Sequence, residues 1–192
     1  MYTIAVIVGS LRRDSINRKL GKALAKLGQS KFKFNLVEIG DLPIYNEDLW
    51  QDPPASVLRM KKEIEAADGV LFVTPEYNRS IPPVLKNAID WGTRPWGKNS
   101  WAGKPASIVG TSPGAVGTAV AQTHLRSVAV ILDVVLMGQP EVYFVNKPGL
   151  IDENDDITDD TTREFLEGYL ARFEAWIDQV SKSEEAEERR VA

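Results

Sequence analysis

Residues 69–91 constrain the fold of this chain more than any other stretch. An unbroken apolar run, Gly69-Val70-Leu71-Phe72-Val73, leads into Thr74-Pro75-Glu76-Tyr77-Asn78-Arg79-Ser80-Ile81-Pro82-Pro83, and Val84-Leu85-Lys86-Asn87-Ala88-Ile89-Asp90-Trp91 follows. The run reads as a buried strand ending at Thr74. The prolines at 82 and 83 suit a helix start, where a missing amide costs little. The unit is therefore strand, rigid polar loop, helix. In an open α/β sheet, ligands bind at the carboxyl edge of the strands. The loop holding Pro75, Tyr77, Asn78 and Ser80 is thus a candidate wall for a flat polar ring.

The same alternation recurs along the chain. Tyr2 to Val8 forms a β-branched apolar run closed by Gly9, and Ile16, Leu20, Ala23 or Leu24, and Leu27 repeat at helical spacing after Ser15, a good N-cap. Phe32, Phe34 and Leu36 alternate as a second strand. A loop over 40–54 holds Pro43, Tyr45 and Trp50, long enough to suggest a task of its own. Val57, Met60, Ile64 and Ala67 predict the next helix, before the strand at 70–73 and the helix at 83–91. A fourth strand is expected at 105–110, a helix at 115–132 and a fifth strand at 134–137, with 142–145 as its continuation. The last helix is expected to open at the capping box Thr161-x-x-Glu164, with Phe165, Tyr169, Phe173, Trp176 and Val180 as its buried stripe. From Ser181 the chain is charged and aperiodic, so the expectation is one domain over 1–180 and a disordered tail over 181–192. Alternating strands and helices predict an α/β three-layer fold: a five-stranded parallel sheet with helices on both faces, in the flavodoxin-like order 2-1-3-4-5.

Composition removes several function classes. The absence of cysteine excludes disulfides, thiolate metal sites and cysteine nucleophiles, and a lone histidine, His124, cannot build a His-based metal cluster. A formal net charge of −4 argues against nucleic acid as partner, because phosphate neutralisation needs a positive excess. No apolar run reaches the ~18 residues of a membrane span, and the chain enters a strand directly, so the expected location is the cytoplasm.

Three loops converge at the point where the strand order reverses. The first, Gly9-Ser10-Leu11-Arg12-Arg13-Asp14-Ser15-Ile16-Asn17, joins a strand to a helix N-terminus, where free amides and the helix dipole favour phosphate. It is neither G-x-x-x-x-G-K-[ST] nor G-x-G-x-x-G, so the phosphate expected is a terminal monoester. An ordinary polar turn would also account for these residues. The second is the 74–80 loop. The third, Thr111-Ser112-Pro113-Gly114-Ala115-Val116-Gly117-Thr118, offers a hydroxyl and glycines that let backbone approach a ligand. One phosphate-suited loop flanked by two ring-suited ones is the layout for a mononucleotide such as FMN. His124 lies within a predicted helix with no acidic or serine partner visible nearby and reads as a structural or interface residue, Trp91, Trp96 and Trp101 read as core or subunit contacts, with the edge of a substrate pocket as the alternative for one of them, and the acidic run at 152–160 reads as a solvated turn, lacking the Gly and terminal Glu of a calcium loop.

These motifs resemble the NADPH-dependent FMN reductase family. The resemblance rests on Gly9-Ser10-Leu11-Arg12-x-x-Ser15-x-Asn17 and Pro75-Glu76-Tyr77-Asn78-x-Ser80-x-Pro82, extends over about 3–180, and is nearest to the chromate/quinone reductase branch. It implies a flavodoxin-like fold, bound FMN, NADPH or NADH as hydride donor, and a homodimer or homotetramer. Ser10, Leu11, Arg12, Ser15 and Asn17 match the phosphate-binding segment. Pro75, Glu76, Tyr77, Asn78 and Arg79 match the segment beside the isoalloxazine, with Ser112 and Gly114 opposite. Arg79 and Pro83 depart from the family pattern, and Arg79 leaves acceptor preference open.

The reaction implied is ping-pong: hydride from NAD(P)H to flavin N5, then two electrons to a quinone or to chromate, azo or nitro compounds or free flavin. The flavin carries that chemistry, so no side chain is assigned a catalytic role and none a metal. Two other classes fit the fold, a flavodoxin-like electron carrier and a non-redox nucleotide-binding regulator. Carriers are strongly acidic for steering; the mild net charge and Arg12, Arg13, Arg18 and Arg79 around the site argue the other way.

Overall fold

Every residue of Gly69–Val73 is buried in the computed structural model, which describes residues 1–191, with side chains described to Ser183. This strand, β3, lies between β1 (Tyr2–Val8) and β4 (Pro105–Ser112), and all pairings in the sheet are parallel. β2 (Phe32–Leu36) is the outer neighbour of β1. The order is β2-β1-β3-β4-β5, the expected doubly wound arrangement. Its fifth position comes in two pieces. β5 (Val135–Leu136) pairs with Pro105 and Ala106, whereas β6 (Val142–Val145) pairs with 109–112 on the same side of β4. Pro140, which has no amide to donate, lies in the gap between them.

Alternation along the strands divides the core in two. Ala5, Ile7, Val70, Phe72 and Ile108 face α2 (Ala55–Glu65), α3 (Pro83–Gly92) and α4 (Ala119–Leu132). Ile4, Val6, Val8, Leu71, Val73 and Val109 face α1 (Ile16–Leu27) and α5 (Asp160–Val191). The long loop over 40–54 closes the first half. Tyr45 and Trp50 meet Trp91 edge-on at 4.8 and 5.3 Å, and the Trp91 indole donates to the Pro43 carbonyl at 2.8 Å. Trp101 is also fully buried, but Trp96 is 87% exposed and is no core residue.

Three expectations need correction. α4 begins at Ala119, not near 115, because Gly114 to Gly117 form a turn in which Gly117 takes φ +62°. A Cβ at Gly117 would stand 3.2 Å from the β6 backbone, so the loop must pass there without a side chain. α5 is capped by Asp159 rather than Thr161: the Asp159 carboxylate accepts from the Thr162 amide at 2.8 Å and hydroxyl at 2.6 Å. Its buried stripe is Leu166, Tyr169, Leu170, Phe173, Ile177 and Val180, so Phe165 is left exposed and Trp176 half-buried. The α5 backbone continues to Val191; the expectation of disorder over 181–192 falls mostly on residues whose side chains lie outside those described. No helix among the described residues is long and apolar enough to cross a membrane.

Candidate active site

β1, β3 and β4 end side by side, and the loops leaving them enclose one crevice of about 310 Å³. Ser10, Arg12, Ser15, Ile16 and Asn17 line it from the first loop, Pro75, Glu76 and Tyr77 from the second, and Thr111, Ser112 and Pro113 from the third. A hollow of about 440 Å³ along β6 and the start of α5 is larger but shares no residue with these loops. The donors that suit a ligand are gathered in the crevice, and size alone does not make a site.

The first loop can approach the second because residue 9 is glycine. A Cβ there would stand 3.0 Å from Pro82 and 3.3 Å from Pro75. Ser15 caps α1 as expected, its hydroxyl accepting from the Arg18 amide at 3.2 Å. Ser10 is buried, yet neither its hydroxyl nor the Arg12 guanidinium has a hydrogen-bond or ion-pair partner among the described residues. The amides of Ser10, Arg12, Ile16 and Asn17 likewise meet no acceptor there. An unpaired cation, a free hydroxyl and a row of open amides at a helix N-terminus are what a phosphate monoester requires.

Asn17 carries a second task that local reading misses. Its Nδ2 donates to the Thr111 carbonyl at 2.9 Å and its Oδ1 accepts from the Thr111 amide at 3.0 Å. β3 stops pairing with β4 at Val73 and Val109, so on that side the Thr111 peptide has no neighbouring strand, while β6 continues on the other. The Asn17 carboxamide stands in for the missing peptide and ties α1 to the end of β4. One Nδ2 hydrogen is left for a ligand.

In the second loop, Tyr77 and Ser80 exchange backbone hydrogen bonds of 2.9 Å in each direction around Asn78 (φ 49°) and Arg79 (φ 64°). This is a two-residue turn with both central residues left-handed, a conformation that favours Asn and Gly over Arg. Asn78 and Arg79 stand at its tip and do not line the crevice; Tyr77 does, half exposed at its mouth. The Glu76 side chain turns away from the opening. Its Oε2 accepts from the α4 amides of Val120 and Ala121 at 3.1 and 3.0 Å, and Arg79 meets its Oε1 at 3.3 Å. The Glu76 backbone amide has no partner among the described residues.

Leu11 and Gly114 are adjacent to the crevice rather than in its lining. Leu11 lies over Gly40, and the Gly114 amide donates to the Ser112 hydroxyl at 3.0 Å. Ile16, Thr111 and Pro113 are lining residues the sequence did not single out. His124 does have a serine partner: its Nδ1 lies 3.1 Å from the Ser80 hydroxyl, across 44 residues of chain.

Comparison with known proteins agrees with this geometry. The pattern of the NADPH-dependent FMN reductase family matches residues 2–149. The chain belongs to that family. It is accordingly an oxidoreductase whose cofactor is FMN and whose reductant is NAD(P)H. Among similar proteins, a 2-hydroxy-1,4-benzoquinone reductase of a Burkholderia species is 53% identical over 174 residues, 91% of this chain and 95% of the relative. A quinone reductase of Pseudomonas putida is 47% identical over 178 residues, 92% of this chain and 95% of the relative. The solved flavoenzyme FerB of Paracoccus denitrificans, an NAD(P)H:(acceptor) oxidoreductase, superposes with a TM-score of 0.91 at 50% identity, covering 93% of this chain and 98% of its own.

Proposed function

We propose that this family member is an NAD(P)H-dependent quinone reductase whose FMN sits in the three-loop crevice. The observation that carries the site is the convergence of unpaired donors, Ser10, Arg12 and open amides, on one side of a crevice walled on the other by Pro75, Glu76 and Tyr77. The acceptor class follows from the quinone reductases that match nine-tenths of the chain. FMN held there would supply the redox chemistry, hydride acceptance from NAD(P)H and two-electron reduction of the acceptor in ping-pong order.

The chain's own residues bind and orient. Arg12 neutralises phosphate charge, and Ser10, Ser15 and the second Asn17 hydrogen add neutral donors. The unpaired Glu76 amide would be available to the polar edge of the ring, where a fixed dipole stabilises developing negative charge. Pro75 and Tyr77 exclude water from one side. Chromate, azo and nitro compounds and free flavin belong to the same reading, as acceptors that an open flavin face reduces without dedicated contacts. NAD(P)H dependence supports a cytoplasmic setting. A homodimer or homotetramer is supported by Trp96, Val130 and Ile131, apolar side chains more than 75% exposed that a second copy would cover.

The test is stopped-flow reduction of the FMN-loaded protein by NADH and by NADPH, then reoxidation by quinones, chromate and free flavin. Fast bleaching and faster reoxidation by quinones than by the other acceptors are expected. Bleaching that needs a protein partner would point to an electron carrier instead.

A further inference from the structure

The two walls of the crevice that flank the ring are the 74–80 loop and the loop from β4 to α4. Strand pairing holds them in register only as far as Val73 and Val109, with one further bond from the Thr74 amide to the Val109 carbonyl at 2.9 Å. Beyond that point side chains must set the gap. The Glu76 side chain crosses it. Val120 and Ala121 are the second and third residues of α4, two of the amides a helix cannot pair internally. Thr118, the residue before α4, provides no side-chain cap. The cap comes instead from the opposite wall, as a carboxylate at the positive end of the helix. The other end of the same turn is fastened further along α4, where Ser80 meets His124. The 76–80 turn is therefore attached to α4 at both ends, and Glu76 is nearly enclosed, its side chain 9% exposed.

We infer that Glu76 is a positioning residue of the flavin site, its carboxylate fixing the distance between the two ring-flanking walls and the direction of the Glu76 amide, while touching no ligand itself. The inference rests on the FMN reading above. It makes reach rather than charge the decisive property. Glu76→Gln keeps an oxygen at the same reach. Glu76→Asp keeps the charge but falls one carbon short of α4. Glu76→Ala removes both.

Apoprotein of each variant is titrated with FMN by quenching of flavin fluorescence, and circular dichroism of the bound flavin is recorded in the visible. Glu76→Ala and Glu76→Asp are expected to weaken FMN by about tenfold or more, on the scale of one to two lost hydrogen bonds. The visible dichroism should change with them. Glu76→Gln should recover most of the affinity and the native dichroism. If Glu76→Ala does not fold, Glu76→Asp carries the comparison. Native affinity and dichroism in the Asp and Ala variants, or a Gln variant as weak as Ala, would overturn the inference. Failure of the wild-type chain to bind FMN is a separate result, and it strikes the underlying reading instead.

Discussion

Replacing Asn17 by Ala separates two roles carried by one side chain. In the structure its carboxamide makes two hydrogen bonds to Thr111, a residue with no exposure, at the end of β4. Removing it leaves an amide and a carbonyl without partners. Each such orphan costs about 1–3 kcal/mol. Asn17 lines the crevice, so water can enter and satisfy part of the loss, which holds the total to about 3 kcal/mol. For a chain of this length, 1 kcal/mol shifts Tm by about 2–4 °C, so the apoprotein should melt about 6–12 °C lower. Asn17→Asp should do no better, because it presents an oxygen to the Thr111 carbonyl where the native side chain presents N–H. The assay is calorimetry on apoprotein, where phosphate binding makes no contribution. An apoprotein Tm within about 1 °C of wild type, together with weakened FMN binding, would show that Asn17 is a ligand contact only and that the strand-completing role is wrong.

Other positions give sharper or simpler outcomes. Gly110→Ala places a Cβ 2.3 Å from both the Thr74 carbonyl and the Thr118 hydroxyl, so it should cost at least about 2 kcal/mol and widen the crevice, read as a lower Tm and weaker FMN binding. Arg12→Ala, at a side chain without partners among the described residues, should leave the apoprotein Tm unchanged while weakening FMN by about tenfold; loss of Tm with unchanged affinity would contradict the phosphate role. Tyr2 donates to Asp178, which holds its phenol up at about 12. A raised folded pKa means this stability is fully present below the unfolded value near 10 and is lost as pH rises toward 12. Tyr2→Phe should therefore be less stable than wild type at neutral pH, with the difference disappearing across that window; a pH-independent difference would refute the assignment. Ser15→Ala should cost about 1 kcal/mol in the apoprotein through loss of the α1 cap.

The parts of this account legible in the sequence are those whose physics is local. Ser15 caps a helix three residues away, and the all-apolar 69–73 run announces a strand covered on both faces. The strand order then followed from alternation. The errors arose where several local solutions compete. Asp159 and Thr161 are both capping residues, and only the fold selects the first. Residues 165, 169, 173, 176 and 180 make as good a helical stripe as 166, 169, 170, 173, 177 and 180; packing against β4 and α1 decides between them. The site divides in the same way. Its loops were visible, but the roles of Asn17 and Glu76 were not, because their partners lie 94 and 44 to 45 residues away in the chain. A polar residue in a ligand-binding motif is read as a ligand contact, whereas Asn17 and Glu76 also tie the loops of the crevice to distant backbone.

A crystal structure of the protein grown with FMN tests the central claim most directly. The phosphate is expected against Ser10, Arg12 and Ser15 at the start of α1, the ring between the Pro75–Tyr77 segment and Ser112, and the Glu76 carboxylate still on the Val120 and Ala121 amides. FMN bound along β6 and Phe165, or a crevice filled by the protein's own side chains while the flavin binds elsewhere, would contradict it.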